Sequence, residues 1–130
     1  MLDGRLAAGF KRRQPNHNAG MDAIVVLCNC PDEVNAMLIA EALVTERLAA
    51  CVNRIPGIAS TYRWKGQIQH DTENLLVIKT TRDRFDALRE RILALHQYEL
   101  PEVLAVDIAA GHAPYLDWIA AQTLPDASSR

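Results

Sequence analysis

Apolar positions change their period several times along this chain, and each change marks an expected element. From Asp22 to Asn29 (Asp-Ala-Ile-Val-Val-Leu-Cys-Asn) they fall on both alternating faces, which predicts a strand with little exposure to solvent. Pro31 then reads as the opening of a helix, where a missing N–H costs nothing, and Asp32 and Glu33 put negative charge at the positive end of the dipole. That helix is expected to pass through Val34, Leu38, Ala42 and Thr45 to about Arg47. The stretch from Glu46 to Ile68 reads as an unusually long, interrupted hairpin arm. Its apolar and aromatic content indicates strand, Pro56-Gly57 a bend or bulge, and Lys65-Gly66 a tight turn.

After the turn the chain returns through Gln67-Ile68 toward Asn74–Thr80, again apolar on both faces. Thr81 is the expected N-cap of a second helix, in which Phe85, Leu88, Ile92 and Leu95 recur at helical spacing while Arg82, Arg84, Arg89 and Glu90 sit elsewhere. Tyr98-Glu-Leu-Pro101 breaks that helix, and Glu102–Ala109 reads as a fourth strand. Gly111-His-Ala-Pro114 turns the chain into a short last helix with an apolar stripe of Tyr115, Trp118 and Ile119. Residues 125–130 are expected to form a flexible tail.

The resulting order, βαββαβ with a terminal helix, predicts an α+β fold: a ferredoxin-like sandwich with a C-terminal helix and a long β-hairpin arm. Such a sandwich leaves one sheet face open. Here both faces of the strands are apolar, as in Ile24/Val26 against Val25/Leu27 and Leu76/Ile78 against Leu75/Val77, so other subunits are expected to bury the second face.

Composition narrows the function classes only a little. With 130 residues, 49% hydrophobic and 23% charged, the chain suits one domain, expected over residues 21–124. The formal charge of −2 is unevenly spread: residues 1–20 carry four basic residues against Asp3, and the rest is mildly acidic. No basic stripe marks a nucleic-acid binder, no apolar run suits a membrane span, and residues 1–20 read as a disordered extension rather than a secretory signal. Cys28, Cys30 and Cys51 are odd in number and lack paired CxxC spacing, which points to reduced thiols in the cytoplasm.

Several segments together carry a family resemblance: Val25–Glu33 (Val-Val-Leu-Cys-Asn-Cys-Pro-Asp-Glu), Leu48–Gly57, Ser60–Gly66, Ile78–Thr81 and His96–Glu102, followed by Gly111. Over Asp22 to Ala121 the chain resembles the CutA family of divalent-cation tolerance proteins. The resemblance implies a homotrimer whose hairpin arms reach across neighbouring subunits, an architecture similar to the PII signalling trimers. It also implies a role in tolerance of divalent metals, copper especially. Some relatives are described as holding copper through the cysteine matching Cys28 and two adjacent histidines; the second of these is His96, whereas the first position is Leu95. Water, Cys30, Glu99 or another subunit would have to complete the set.

A thiolate with an imidazole favours copper or zinc over magnesium or calcium. Against that stands a structural reading, in which Cys28 is a small buried hydrophobe and His96 a cation at a helix C-terminus. Cys51 reads as structural, and His70 and His112 as solvent-facing or turn residues. Tyr62 and Trp64 alternate with Arg63 and Lys65 along the arm, which suits aromatic anchors at a subunit interface. Lys79, His96, Tyr98, Glu99 and Glu102 lie near element ends, where a cleft between subunits could form. No nucleophile elbow, glycine-rich phosphate loop or triad accompanies them, so no enzyme is expected. The leading reading is thus a metal-responsive trimer. The alternative is a PII-like regulator taking a small anion or a protein partner at subunit clefts, with Arg54, Arg63, Lys65 and Lys79 as anion partners, and a small-substrate hydrolase ranks last.

Overall fold

A single antiparallel sheet of four strands, in the order β2-β3-β1-β4, organises residues 22–125, which the computed structural model describes. Along the chain the elements are β1 (Ala23–Cys30), α1 (Glu33–Thr45), β2 (Cys51–Trp64), β3 (Gln67–Thr81), a 3-10 turn (Arg82–Arg84), α2 (Phe85–Leu95), β4 (Leu104–Asp107) and α3 (Ala113–Gln122). The expected N-terminal extension and all but Pro125 of the expected tail lie outside the described residues.

Strand parity sorts the side chains. Even-numbered positions of β1 (Ile24, Val26, Cys28, Cys30) and of β3 (Leu76, Ile78) meet Ala36, Ile39 and Leu43 of α1 and Leu88 and Ile92 of α2 in one buried core. Each such Ile or Leu contributes about 1.5–3 kcal/mol relative to exposure, so this face dominates stability. Val34 and Leu38, which helped to trace α1, are instead 76% and 52% exposed, because Ile39 and Leu43 carry the packing stripe. The odd-numbered face is different. Val25, Leu27, Leu75 and Val77 are only half-buried, and their neighbours Leu104 and Val106 on β4 are 56% and 51% exposed.

The arm is continuous. β2 and β3 pair from Cys51/Lys79 to Trp64/Gln67, with a register shift between Ile55 and Ile58 where Pro56 and Gly57 stand. Gly57 has φ 74°, and at the tip Lys65 and Gly66 have φ 52° and 80°, the left-handed pair that a two-residue hairpin turn demands.

Four local expectations need correction. Pro31 does not open α1; Asp32 is the N-cap, its carboxylate accepting the Asn35 N–H at 2.8 Å, because a short acceptor satisfies an otherwise orphaned donor. Thr81 makes no side-chain cap, since the chain first winds through the 3-10 turn before α2. β4 spans Leu104–Asp107 rather than residues 102–109, pairing β1 only over Ile24–Leu27. In α3 only Ile119 is buried, while Tyr115 and Trp118 stack on each other with centroids 5.5 Å apart. This helix lies over one end of the odd face, where Ala23 and Thr81 are buried and Tyr115 meets Cys51.

Candidate functional site

Because β4 stops short, the last three residues of β1 have no strand on that side, and the loop after α2 closes over them. Cys28 and Cys30 are two residues apart on a strand and so share the core face, where both are fully buried. His96 leaves the C-terminal end of α2 beside them. The two sulfurs and an imidazole nitrogen lie within 4.8 Å of one another, the one such group of three metal-ligating side chains among the described residues.

Hydrogen bonds fix the imidazole. The Tyr98 N–H can only donate, so His96 Nδ1, 3.0 Å away, accepts; Nε2 then carries the proton and donates to the Asn29 carbonyl at 2.7 Å. Both ring nitrogens are engaged, and an ion entering here displaces one of these bonds. Asn35, buried in the first turn of α1, braces the same corner by donating Nδ2–H to the Leu95 carbonyl at 3.1 Å.

The two thiols are unequal. A hydrogen bond with Cys30, reinforced by burial, pushes Cys28 far up and keeps it protonated. Cys30 is drawn down by the Cys28 hydrogen bond and by His96, against the opposing effect of burial. For His96, burial acts downward but is outweighed by the neighbouring Cys30 sulfur and the bond to the Asn29 carbonyl, and the net shift is upward. A thiol ready to ionise beside a second sulfur and an imidazole is a donor set for a soft or borderline ion such as copper or zinc.

A groove of about 700 Å³ adjoins this corner, lined by Asn29, Tyr62, Arg63, Trp64, Glu73, Tyr98, Glu99 and Glu102 among others. Tyr98 donates its hydroxyl to Glu73 Oε2 at 2.5 Å, and Asn29 Nδ2 donates to Glu102 Oε1 at 3.2 Å. Burial and the Glu73 bond raise the Tyr98 phenol above its ordinary range. The structure therefore brings together Tyr98, Glu99, Glu102, Tyr62 and Trp64. It does not bring Lys79 to them within one subunit: Lys79 stands at the opposite end of β3 and donates to Asn53 Oδ1. Cys51 is likewise remote, and His70 and His112 are exposed.

Sequence reasoning passed over Glu73, Asn29 and Asn35. Only Asn35 left a signal, as the N3 residue of a helix whose preceding Asp is an evident cap.

Residues 24–122 match the family model described as CutA1 divalent ion tolerance protein. The chain is 52% identical over 99 residues to the divalent-cation tolerance protein CutA of Thermus thermophilus, covering 76% of this chain and 96% of that one. It is 40% identical over 114 residues to the chloroplastic protein CutA 1 of Oryza sativa, covering 88% of this chain and 64% of that one. The solved structure of the divalent cation tolerance protein from Thermus thermophilus superposes with a TM-score of 0.76 at 51% identity, over 78% of this chain and 98% of the other.

Proposed function

Since this chain belongs to the CutA1 divalent ion tolerance family, we infer that it serves divalent-cation tolerance as a trimer of ferredoxin-like subunits that takes up copper, or a comparable soft ion, at Cys28, Cys30 and His96. The observation that carries the reading is the convergence of two thiols and one imidazole within 4.8 Å. Cys30 replaces what Leu95 cannot offer, since a thiolate is a better soft-metal ligand than the missing histidine. When bound, the ion would be held and withdrawn from solution; no catalytic step is assigned to it.

The strand order with β1 between β3 and β4 suits the ferredoxin-like description, and the half-covered odd face suits burial by neighbouring subunits. Tyr62 and Trp64 on the arm are the interface anchors in this reading. Three free thiols suit a reducing compartment, and we place the protein in the cytoplasm. A PII-like anion site gains little from the groove, whose wall carries Glu73, Glu99 and Glu102 against Arg63.

Titration with Cu(I), Cu(II) and Zn(II), followed by near-ultraviolet thiolate-to-metal absorbance and by melting temperature, tests the assignment. An ion at a hundredfold excess over its Kd should stabilise the fold by about 2.7 kcal/mol, and Cys28→Ala or Cys30→Ala should abolish both signals. An unresponsive wild type, or variants that respond as the wild type does, would sink it.

A further inference from the structure

Glu73 is only 5% exposed, lies on the groove wall, and receives a hydroxyl hydrogen bond from Tyr98 at 2.5 Å. Among the described residues no Lys, Arg or His forms an ion pair with it. A carboxylate so far withdrawn from water is ordinarily paired with a cation, because one phenol only partly offsets the lost hydration. The groove repeats that bias, with the half-buried Glu102 and the exposed Glu99 beside Tyr62, Trp64 and Tyr98, and one guanidinium, Arg63, opposing them.

The carboxylates do not gather into a three-ligand cluster for a bare ion; among the described residues only Cys28, Cys30 and His96 do. They are instead spread around a space of about 700 Å³, the size of a small-molecule site, with aromatic rings whose faces attract positive charge. Asn29 also lines the wall, its Nδ2 held by Glu102 and its Oδ1 shielded from solvent without a hydrogen-bond partner. The geometry points to a second binding site here, separate from the thiol site, for a small organic cation bearing ammonium or guanidinium groups. Glu73 pairs with the charged head, Glu99 and Glu102 add negative charge along the wall, and the Tyr98 ring flanks the alkyl chain.

The same cationic chemistry could come from a basic side chain of a second copy of this chain, and the test separates the two sources. Putrescine, spermidine and agmatine are titrated calorimetrically into the full chain, with citrate as the anionic control. Binding should be saturable for at least one amine, absent for citrate, and weakened ~10-fold or more in Glu73→Gln, as expected for loss of a charged hydrogen bond. Glu99→Gln, at an exposed position, should weaken it less and keeps the test independent of folding. The titrations are run with a metal chelator present, so failure of the metal assignment would leave this result standing. Absence of saturable binding up to millimolar amine, or equal affinity in Glu73→Gln, overturns the proposal. So does a fall in oligomer mass in Glu73→Gln without amine binding, which would give the groove to the second copy.

Discussion

Tyr98 spans both candidate sites with two groups of one residue, its N–H on His96 Nδ1 and its hydroxyl on Glu73. Burial, then the Glu73 bond, raise its pKa above the ordinary 10.0, so the folded state favours the neutral phenol. The sign follows: this contribution is fully present below about pH 10 and is lost as pH rises toward the folded-state value. Tyr98→Phe should therefore lose about 1 kcal/mol at neutral pH, and its stability should fall less steeply than that of wild type above pH 10. Urea midpoints across that range check it, and parallel pH profiles would refute the role given to the bond. How much of the site could be read in advance follows from the same contacts. Cys28 and His96 were named through the family resemblance and Cys30 only as one candidate to complete the set, although strand parity alone places Cys30 on the face of Cys28. The burial of Glu73 was not legible, since it depends on Tyr98 arriving 25 residues later over a sheet edge. Nor was the engagement of both His96 nitrogens, which depends on backbone groups that carry no residue identity.

At the scale of elements, the hairpin arm was the most legible part of the chain because its turn chemistry is written in single residues. Pro56-Gly57 falls where the register shifts, and Lys65-Gly66 supplies the two positive φ angles of the tip. Gly66 meets nothing within 4 Å of where a Cβ would stand, so Gly66→Ala introduces no clash. Its φ of 80° nevertheless disfavours any L side chain, and the substitution should cost about 1–2 kcal/mol, whereas Lys65→Asn should be close to neutral. Thermal melts of the two variants decide this; a Gly66→Ala protein melting with wild type would mean that the tip does not hold this turn. Helix starts were read less well. Thr81 has the composition of a cap, but the 3-10 turn of Arg82–Arg84 takes the first hydrogen bonds, a geometric choice that residue type alone does not encode. β4 shortened for a related reason: Val103 turns to the core instead of extending the ladder.

For the whole molecule the decisive fact is the asymmetry of the sheet. One face is sealed by α1 and α2; the other leaves Val25, Leu27, Leu75 and Val77 half-covered beside the exposed Leu104 and Val106, with α3 closing only one end. A contiguous apolar surface of this kind on an isolated subunit would favour association, because covering it recovers about 25 cal/mol for each Å² removed from water. The doubly apolar strands announced this much in the sequence, whereas the number three comes only from the family resemblance, since hydrophobicity sets that a surface is buried and not the symmetry by which it is done. Sedimentation equilibrium at micromolar concentration should give three times the chain mass of 14.4 kDa. Val106→Glu places a charge on the exposed face without touching the core and should shift the population toward the monomer. Arg89→Glu on α2, a half-buried residue in contact with Asp86 and Glu90, lies on the opposite side and should leave the mass unchanged. A wild-type protein that sediments at the chain mass would remove the assembly, and with it the interface role of Tyr62 and Trp64, while leaving the thiol and imidazole cluster intact, because all three of its ligands come from one chain.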